Sequence, residues 1–515
     1  MINQEWKKYG GVLYFTGLFL TLLLLVLPSF SNPPRSDYWS AFYIFQKIDA
    51  SPGPPDWTDI MTFDLWQHGT FRPLSHLVPY LEHNIFSTNF FWNHILNFSG
   101  YCLSIILLYL LALRLSLDKI MTAAGLTVFA FLFSHFDILT WTFQLFSILG
   151  FCSCLLGFIV FITFLKSRRA ILLILIGLLF FFGMLCFEVY ALWPLAILII
   201  PFALNRSHPV IKPKIPRPAL VMLGVLYIAY LGIFLLHRSA TSTTGALPLP
   251  NAGEGILAVL MVPFNLFYTG IVVNLFPALT KPLFYNDNIN LGGLLLSRQE
   301  NLETIILWGG AVGSMIIGLG VILLIRKKDR RVFALLLFFF SLYFTNFFTV
   351  SLARLTTDPV FYTLSQFRYQ YIPNALLILM TVIIIGNLIR PVRWGRIFIA
   401  LILILILVFN IYLDHEFIRN VGDRLSPLKT ILENIKQGID ENRITEESPL
   451  FIEREVADEL PAPCWNPGMA PKMKGTFQWF FPSSEMGKFT LSKKDAGWII
   501  TPDDYLTIKM VSGEQ

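Results

Sequence analysis

The chain has 515 residues, of which 55% are hydrophobic and only 14% charged, and its formal net charge is +6. Soluble domains carry about 25% charged residues, so this composition excludes an ordinary water-soluble protein. The excess positive charge lies in short loops between apolar runs. We therefore interpret it as a determinant of membrane orientation and not as a nucleic-acid-binding surface.

Apolar runs long enough for membrane helices recur along most of the chain. A spanning helix needs about 20 mostly apolar residues, because the bilayer offers no water to its backbone. The first run follows Lys7 and Lys8 and predicts a retained anchor, since prolines and no small-residue cleavage site come after it. The pattern predicts an all-α polytopic membrane protein with about eleven spans: 10–28, 94–114, 120–134, 143–165, 170–187, 189–204, 219–236, 303–325, 332–350, 371–389 and 397–413.

The distribution of basic residues predicts the orientation of these spans. If the N-terminus is cytoplasmic, the six cytoplasmic segments hold 19 basic residues and three acidic ones. Cytoplasmic loops of membrane proteins carry such an excess of Lys and Arg. The opposite loops and the C-terminal tail are then extracytoplasmic.

Two regions shape the predicted domain organisation. The apolar stretch 255–280 contains Pro263 and Pro277, and treating it as a span would move the basic cluster 326–331 to the outside. We therefore expect an amphipathic or re-entrant segment within a long extracytoplasmic loop, 237–302. The predicted transmembrane catalytic domain covers 1–413, with a first extracytoplasmic loop at 29–93, and 414–515 form a small α+β extracytoplasmic domain.

Ionisable and hydrogen-bonding side chains gather at the predicted extracytoplasmic ends of the helices. Such residues are costly near the bilayer and are functional candidates by default. Ordinary structural roles are also open: Asp37 could cap a helix, His135 and Asp137 could form a loop pair, and the arginines could pair with nearby acids. The sequence contains no phosphate-binding loop, zinc-protease motif or nucleophile elbow. The candidates are Asp37, His68, Arg72, His135, Asp137, Glu188, Arg238, Arg354 and Arg368.

The order of several short motifs resembles the GT-C superfamily of glycosyltransferases, which use polyprenyl-phosphate-linked sugars. Within the superfamily, the motifs are most like those of bacterial relatives of the protein O-mannosyltransferases. The resemblance covers residues 10 to about 413. Its motifs are Ser36-Asp37-Tyr38-Trp39, Phe71-Arg72-Pro73-Leu74, Phe133-Ser134-His135, Phe187-Glu188 and Arg368-Tyr369-Gln370-Tyr371-Ile372-Pro373.

The resemblance implies a role for each group of residues. Asp37 would be the general base that accepts the proton of the acceptor hydroxyl. Glu188 would act with His135 or Asp137, either to orient the acceptor or to hold a divalent cation such as Mg²⁺ or Mn²⁺; metal dependence stays open. Arginines would stabilise the departing lipid phosphate. These are Arg368, Arg354 and Arg238, while Tyr38, His68, Arg72 and Tyr369 would support acceptor binding.

The implied partners are a polyprenyl-phosphate-sugar donor, a glycan, lipid or protein acceptor, and the bilayer itself. The implied location is a bacterial cytoplasmic membrane, with the active site outside. Two alternatives remain: a glycan polymerase or ligase that joins lipid-pyrophosphate oligosaccharides, and a lipid-linked glycan transporter or flippase. A transporter predicts inverted repeats and polar residues in broken helices at the bilayer midplane, neither of which the sequence suggests.

Overall fold

A computed structural model gives the architecture of the chain. The residues that it describes are 2–31, 45, 60–61, 71–86, 90–204, 214–240, 259, 262–263, 266, 308, 311–315, 322, 329–354, 370–388, 401–415, 418–419, 441, 450–453, 489–494, 497–502 and 508–510.

The described part of the chain up to residue 415 is helical. Its α-helices are α1 (Ile2–Val26), α2 (Leu74–Phe86), α3 (Phe90–Arg114), α4 (Lys119–Ala130), α5 (Phe136–Thr140), α6 (Leu145–Ser167), α7 (Ile171–Cys186), α8 (Ile200–Leu204), α9 (Arg217–Ala240), α10 (Arg330–Arg354), α11 (Tyr371–Leu388) and α12 (Leu401–His415). Single 3-10 turns lie at Leu27–Ser31, Phe133–His135, Thr142–Gln144, Glu188–Tyr190 and Trp193–Leu198.

Ten of the eleven predicted spans correspond to apolar helical segments. Among the described residues, five helices are long and apolar enough to cross a membrane, and five further apolar helices are shorter. The predicted span 303–325 and the predicted re-entrant segment 255–280 lie almost entirely outside the described residues. The part of the chain before the tail is an all-α polytopic membrane domain, as the sequence predicts.

The predicted span 120–134 is wrong in its length. Helix α4 ends at Ala130 after 12 residues, which is about 18 Å of helix and too little for a bilayer core of about 30 Å. Its last carbonyl accepts a hydrogen bond from the hydroxyl of Tyr101 at 3.1 Å. Tyr101 is near the middle of the 25-residue helix α3, so α4 stops about half-way along its neighbour.

The predicted span 189–204 is not a continuous helix. The chain forms the 3-10 turns Glu188–Tyr190 and Trp193–Leu198 and then the five-residue helix α8. Two prolines, Pro194 and Pro201, lie inside this apolar run. Proline lacks the N–H that an α-helix needs and its ring clashes with the preceding turn, so an apolar run alone does not produce a helix here.

Acidic caps start two of the helices at the basic end of the bundle. The Asp118 carboxylate accepts hydrogen bonds from the amides of Ile120 and Met121 at 3.0 Å. Asp329 accepts in the same way from the amides of Arg331 at 3.0 Å and Val332 at 3.4 Å. Two of the three acids in the predicted cytoplasmic segments therefore satisfy otherwise unpaired N–H groups, as N-cap residues do.

A cationic side chain joins the start of α10 to the end of α3. The Arg331 guanidinium donates to the carbonyls of Leu115 and Ser116, both at 3.0 Å. Cations near a helix C-terminus stabilise its unpaired carbonyl groups. The contact also places these two helix ends on the same side of the bundle, as the predicted topology requires.

Helices α6 and α7 pack closely because small residues lie between them. A Cβ atom added to Gly183 would lie 2.5 Å from the Cys154 sulfur, and one added to Gly150 would lie 2.6 Å from the Tyr190 ring. Small residues at helix interfaces let backbones approach, which is a main source of stability where lipid removes the hydrophobic effect. These contacts fix the position of the 188–190 turn relative to α6.

The tail contains a four-stranded sheet in the order β1-β3-β2-β4. The strands are β1 (Leu450–Glu453), β2 (Phe489–Lys494), β3 (Gly497–Pro502) and β4 (Ile508–Met510). β3 pairs antiparallel with β1 and β2, and β2 pairs parallel with β4. These strands lie in the predicted α+β domain, 414–515, whose boundary at 413/414 stays a prediction.

A buried carboxyl group lies on α2, the helix that follows the Phe71-Arg72-Pro73-Leu74 motif. Glu82 is 3% exposed, and neither of its carboxyl oxygens has a hydrogen-bond partner. Burial raises the pKa of Glu82 well above its usual range. Because the folded pKa is above the unfolded one, this group stabilises the fold most at low pH and destabilises it progressively as the pH rises through the folded pKa.

We expect Glu82→Gln to remove part of the pH dependence of stability. The wild type should lose thermal stability between pH 5 and pH 8 by more than the variant, and the variant should be the more stable of the two at pH 8. Thermal unfolding of both proteins in the same detergent measures this. Equal pH dependence in the two proteins would show that ionisation of Glu82 does not lower the stability of the fold.

Candidate functional site

Three helix ends meet beside Tyr101 in the middle of α3. The ring of Tyr101 contacts Phe129, near the end of α4, and Tyr371, the first residue of α11, with centroids 6.1 and 5.3 Å apart. Asp414, near the end of α12, is 2% exposed and close enough to Tyr101 for their charges to interact. Helix ends at this depth are tolerated only where protein buries them or water reaches them.

Polar side chains at this junction form a buried hydrogen-bond network, which we call the His135 network. The hydroxyl of Tyr101 lies 2.8 Å from His135 Nδ1. The Asn374 amide nitrogen lies 3.2 Å from His135 Nε2 and 2.9 Å from the Ser134 hydroxyl. Ser104 and Tyr371 share a further hydrogen bond next to it.

The partners of His135 fix its protonation state. An amide nitrogen only donates, so Nε2 accepts from Asn374 and carries no proton. Nδ1 then carries the proton and donates to the oxygen of Tyr101, whose own hydrogen goes to the carbonyl of Ala130. His135 is therefore a neutral imidazole with both nitrogens in use, and the side chain is fully buried.

The second polar site surrounds the 188–190 turn. Tyr190 holds this turn against α6 by donating to the carbonyl of Ser147 at 2.8 Å, and Tyr227 of α9 donates to the carbonyl of Ala191 at 2.8 Å. Ser147 lies in the first turn of α6. An ideal Cβ on Gly100 would lie 3.0 Å from Ile148 of that turn, so Glu188 lies about level with the middle of α3.

The Phe71-Arg72-Pro73-Leu74 motif of the first loop packs directly on this turn. The Arg72 guanidinium carbon lies 5.8 Å from the centroid of the Phe187 ring, a cation–π distance. The neighbouring Phe71 ring contacts Tyr230 and Phe234 of α9 at 5.8 and 5.7 Å. Pro73 precedes α2 and pre-sets its first turn, in which the Ser75 amide donates to the carbonyl of Arg72 at 2.9 Å.

Glu188 is partly buried between these groups. Its Oε2 atom is buried and has no hydrogen-bond partner, and its charge is close enough to Tyr230 to act on it. We call Arg72, Phe187, Glu188 and Tyr230 the Glu188 cluster. A buried carboxylate oxygen without a partner is costly, so the cluster is arranged to receive a hydrogen-bond donor.

Aromatic rings connect the two sites across the core. His135 contacts Tyr371 at 5.4 Å and Tyr371 contacts Phe151 at 5.4 Å. The series continues through Trp193 and Tyr190 to Phe187, with centroids 5.8, 5.2 and 6.2 Å apart. The His135 network and the Glu188 cluster are thus separate sites joined by packed rings.

The structure places some of the predicted site residues and leaves others outside its description. It brings Arg72 next to Phe187, the residue before Glu188, and it places His135 in a different environment with a partner on each ring nitrogen. Asp137, Arg238 and Arg354 lie in α5, α9 and α10, whose backbone is described there without their side chains. Residues outside the described part of the chain are Asp37, Tyr38, His68, Arg368 and Tyr369.

Sequence reasoning missed several polar residues that the structure brings to these sites. Tyr101 belongs to a polar stripe on α3 at helical spacing, with Asn93, Asn97 and Ser104, and this stripe is a signal that the sequence offers. The sequence pattern places Asp414 at the start of the tail and Asn374 in an apolar span, whereas the structure buries both side chains in helices. Among the described residues, no group of three or more His, Cys, Asp or Glu side chains is placed to hold a metal ion.

Comparisons with known proteins add one solved structure. No protein-family model and no curated protein matches the chain. The fold is similar to the crystal structure of the Archaeoglobus fulgidus oligosaccharyltransferase tethered with an acceptor peptide containing the NVT sequon, at 15% identity and a TM-score of 0.37. The match covers 80% of this chain and 55% of that one, so the chain spans about half of that protein's length. We draw no argument from a likeness at this level.

We expect Asn374→Ala to destabilise the protein through the His135 network. The change leaves His135 Nε2 and the Ser134 hydroxyl buried without this donor, which costs about 1–3 kcal/mol of unfolding free energy. Thr381→Ala is the control, because Thr381 is exposed on the same helix and bonds only to its own backbone turn. Thermal unfolding in detergent measures both, and equal stability of the two variants would contradict the assignment.

Proposed function

We propose that the chain is a membrane glycosyltransferase of the GT-C type. It transfers a sugar from a polyprenyl-phosphate donor to an acceptor hydroxyl on the extracytoplasmic face of the membrane. The order of the sequence motifs suggests this chemistry, and the Glu188 cluster supports it, because two of those motifs, Phe71-Arg72-Pro73-Leu74 and Phe187-Glu188, lie together in space.

The observation that carries the proposal is the buried Oε2 atom of Glu188, which has no hydrogen-bond partner among the described residues. An acceptor hydroxyl is a hydrogen-bond donor and would satisfy this oxygen. Arg72 supplies a positive charge at the Phe187 ring, and Phe187 and Tyr230 supply flat surfaces of the kind on which sugar rings stack.

The proposed reaction is a single displacement at the anomeric carbon. Asp37 takes the proton of the acceptor hydroxyl while its oxygen forms the new glycosidic bond. The bond between the anomeric carbon and the lipid phosphate oxygen breaks with inversion, and the electron pair leaves with the phosphate. Arg368, with Arg354 and Arg238, stabilises that charge, for which a guanidinium fork suits phosphate well.

The proposed cellular setting follows from the charge pattern. The basic loops lie in the cytoplasm and the site opens to the other side, in a bacterial cytoplasmic membrane. A donor lipid enters the bundle sideways from the bilayer, and the acceptor is a glycan, lipid or protein of the cell envelope. The α+β tail, 414–515, lies on the same side as the acceptor.

Purified protein mixed with a polyprenyl-phosphate sugar and an envelope-glycan acceptor tests the reaction directly. We expect Asp37→Asn to lower kcat by about 10²–10⁴-fold, the usual contribution of a general base. Product is measured by mass spectrometry, with donor binding measured in parallel. Full activity of this variant would remove Asp37 from the mechanism, and transfer from a pyrophosphate-linked donor alone would favour the ligase alternative.

A second variant tests the Glu188 cluster. We expect Glu188→Gln to lower kcat/KM by about 10–100-fold, as loss of a charged hydrogen bond to a substrate would. The matched control is Glu82→Gln, which changes another carboxyl group without a hydrogen-bond partner and should keep its activity. The same kcat/KM in wild type and Glu188→Gln would show that the cluster does not bind the acceptor.

A further inference from the structure

A long apolar groove lies between α7 and α9. Its volume is about 960 Å³, and the two helices contact each other along it. The groove follows one face of each helix, at residues spaced three or four apart. Representative lining residues are Ile174, Gly177, Leu178, Val221, Val225 and Ala229.

One end of the groove is strongly basic. Arg217 itself lines the groove, at the first turn of α9. Arg168 and Arg169 immediately precede Ala170 and Ile171, which line the same end, and Lys214 lies three residues before Arg217. All four cationic side chains are exposed. Between residues 166 and 217 the sequence has one acid, Glu188, which lies beyond the other end of α7.

We propose that this groove binds an anionic phospholipid from the leaflet that the basic loops face. The acyl chains lie in the apolar groove, and the headgroup phosphate lies among Arg168, Arg169, Lys214 and Arg217. Basic pockets between membrane helices bind anionic headgroups in this way. The proposal stands independently of the proposed enzyme activity, because it uses none of the residues assigned to the reaction.

The four cations at one end of the groove favour an anionic lipid over other hydrophobic ligands. A zwitterionic lipid gains less from four cations at one end, because its own ammonium group offsets the charge of its phosphate. A donor lipid with its hydrocarbon chain in the groove would place its phosphate at the Glu188 cluster, beyond the opposite end of α7. The four cations would then have no anionic partner. An anionic phospholipid uses both the apolar lining and the cations.

Native mass spectrometry of the full chain in detergent tests the proposal. The probes are phosphatidylglycerol and phosphatidylcholine with identical acyl chains. We expect one phosphatidylglycerol to be retained selectively. Each cation removed should weaken that binding about fivefold, since one cation near an anionic surface contributes about 1 kcal/mol.

The backbone of Arg168 offers an informative variant. This residue ends α6 in the left-handed conformation, with φ 58° and ψ 19°, which glycine adopts more readily than arginine. Arg168→Gly therefore removes a cation while favouring the local fold. Gly177→Leu keeps every cation and places a side chain in the groove. The backbone accepts it, because the nearest atom to an added Cβ, the Met222 Cγ, is 3.7 Å away.

The control is Lys119→Ala, which removes an exposed cation from α4, a helix that packs on α3 and α11. Arg168→Gly and Gly177→Leu should both reduce phosphatidylglycerol binding, and Lys119→Ala should not. Three results would each overturn the proposal: equal retention of the two lipids by the wild type, equal losses in Arg168→Gly and Lys119→Ala, or unchanged binding in Gly177→Leu. Thermal unfolding of each variant confirms that it is folded.

Discussion

The structure depends on how backbone carbonyl groups are satisfied where helices stop inside the membrane. Lipid offers them no hydrogen bonds, and here tyrosine hydroxyl groups from neighbouring helices supply two. Tyr101 reaches the carbonyl at the end of α4, and Tyr227 reaches the carbonyl that follows the 188–190 turn. Tyr190 ties the same turn to α6 through the carbonyl of Ser147. These long-range bonds permit short and broken helices at depth, and they create the space in which polar side chains collect.

The polar groups gathered there divide into two kinds. His135 has a partner on each ring nitrogen and holds helix ends together. Glu188 has a buried oxygen with no hydrogen-bond partner among the described residues, and Glu82 has two. A bound donor would offset this cost at either carboxyl group, and only Glu188 lies in one of the motifs that the sequence singles out.

The sequence predicts the helical class and ten apolar segments, because hydropathy is a local property. It does not predict that α4 ends half-way or that 188–204 is broken, because hydropathy averages over Pro194 and Pro201. It also misses Asn374 and Asp414, since their surroundings are set by helices that are distant in the chain. The exceptions to the charge rule, Asp118 and Asp329, are explained only once their capping bonds are seen.

The glycine contacts between α6 and α7 limit how this molecule can move. Where a single methyl group on Gly183 would overlap the Cys154 sulfur, the two helices cannot slide or rotate past one another without losing their closest packing. They form a rigid spine that carries Glu188 at one end. Any rearrangement around this spine would therefore fall to the elements that pack on it from outside, α2 and α9.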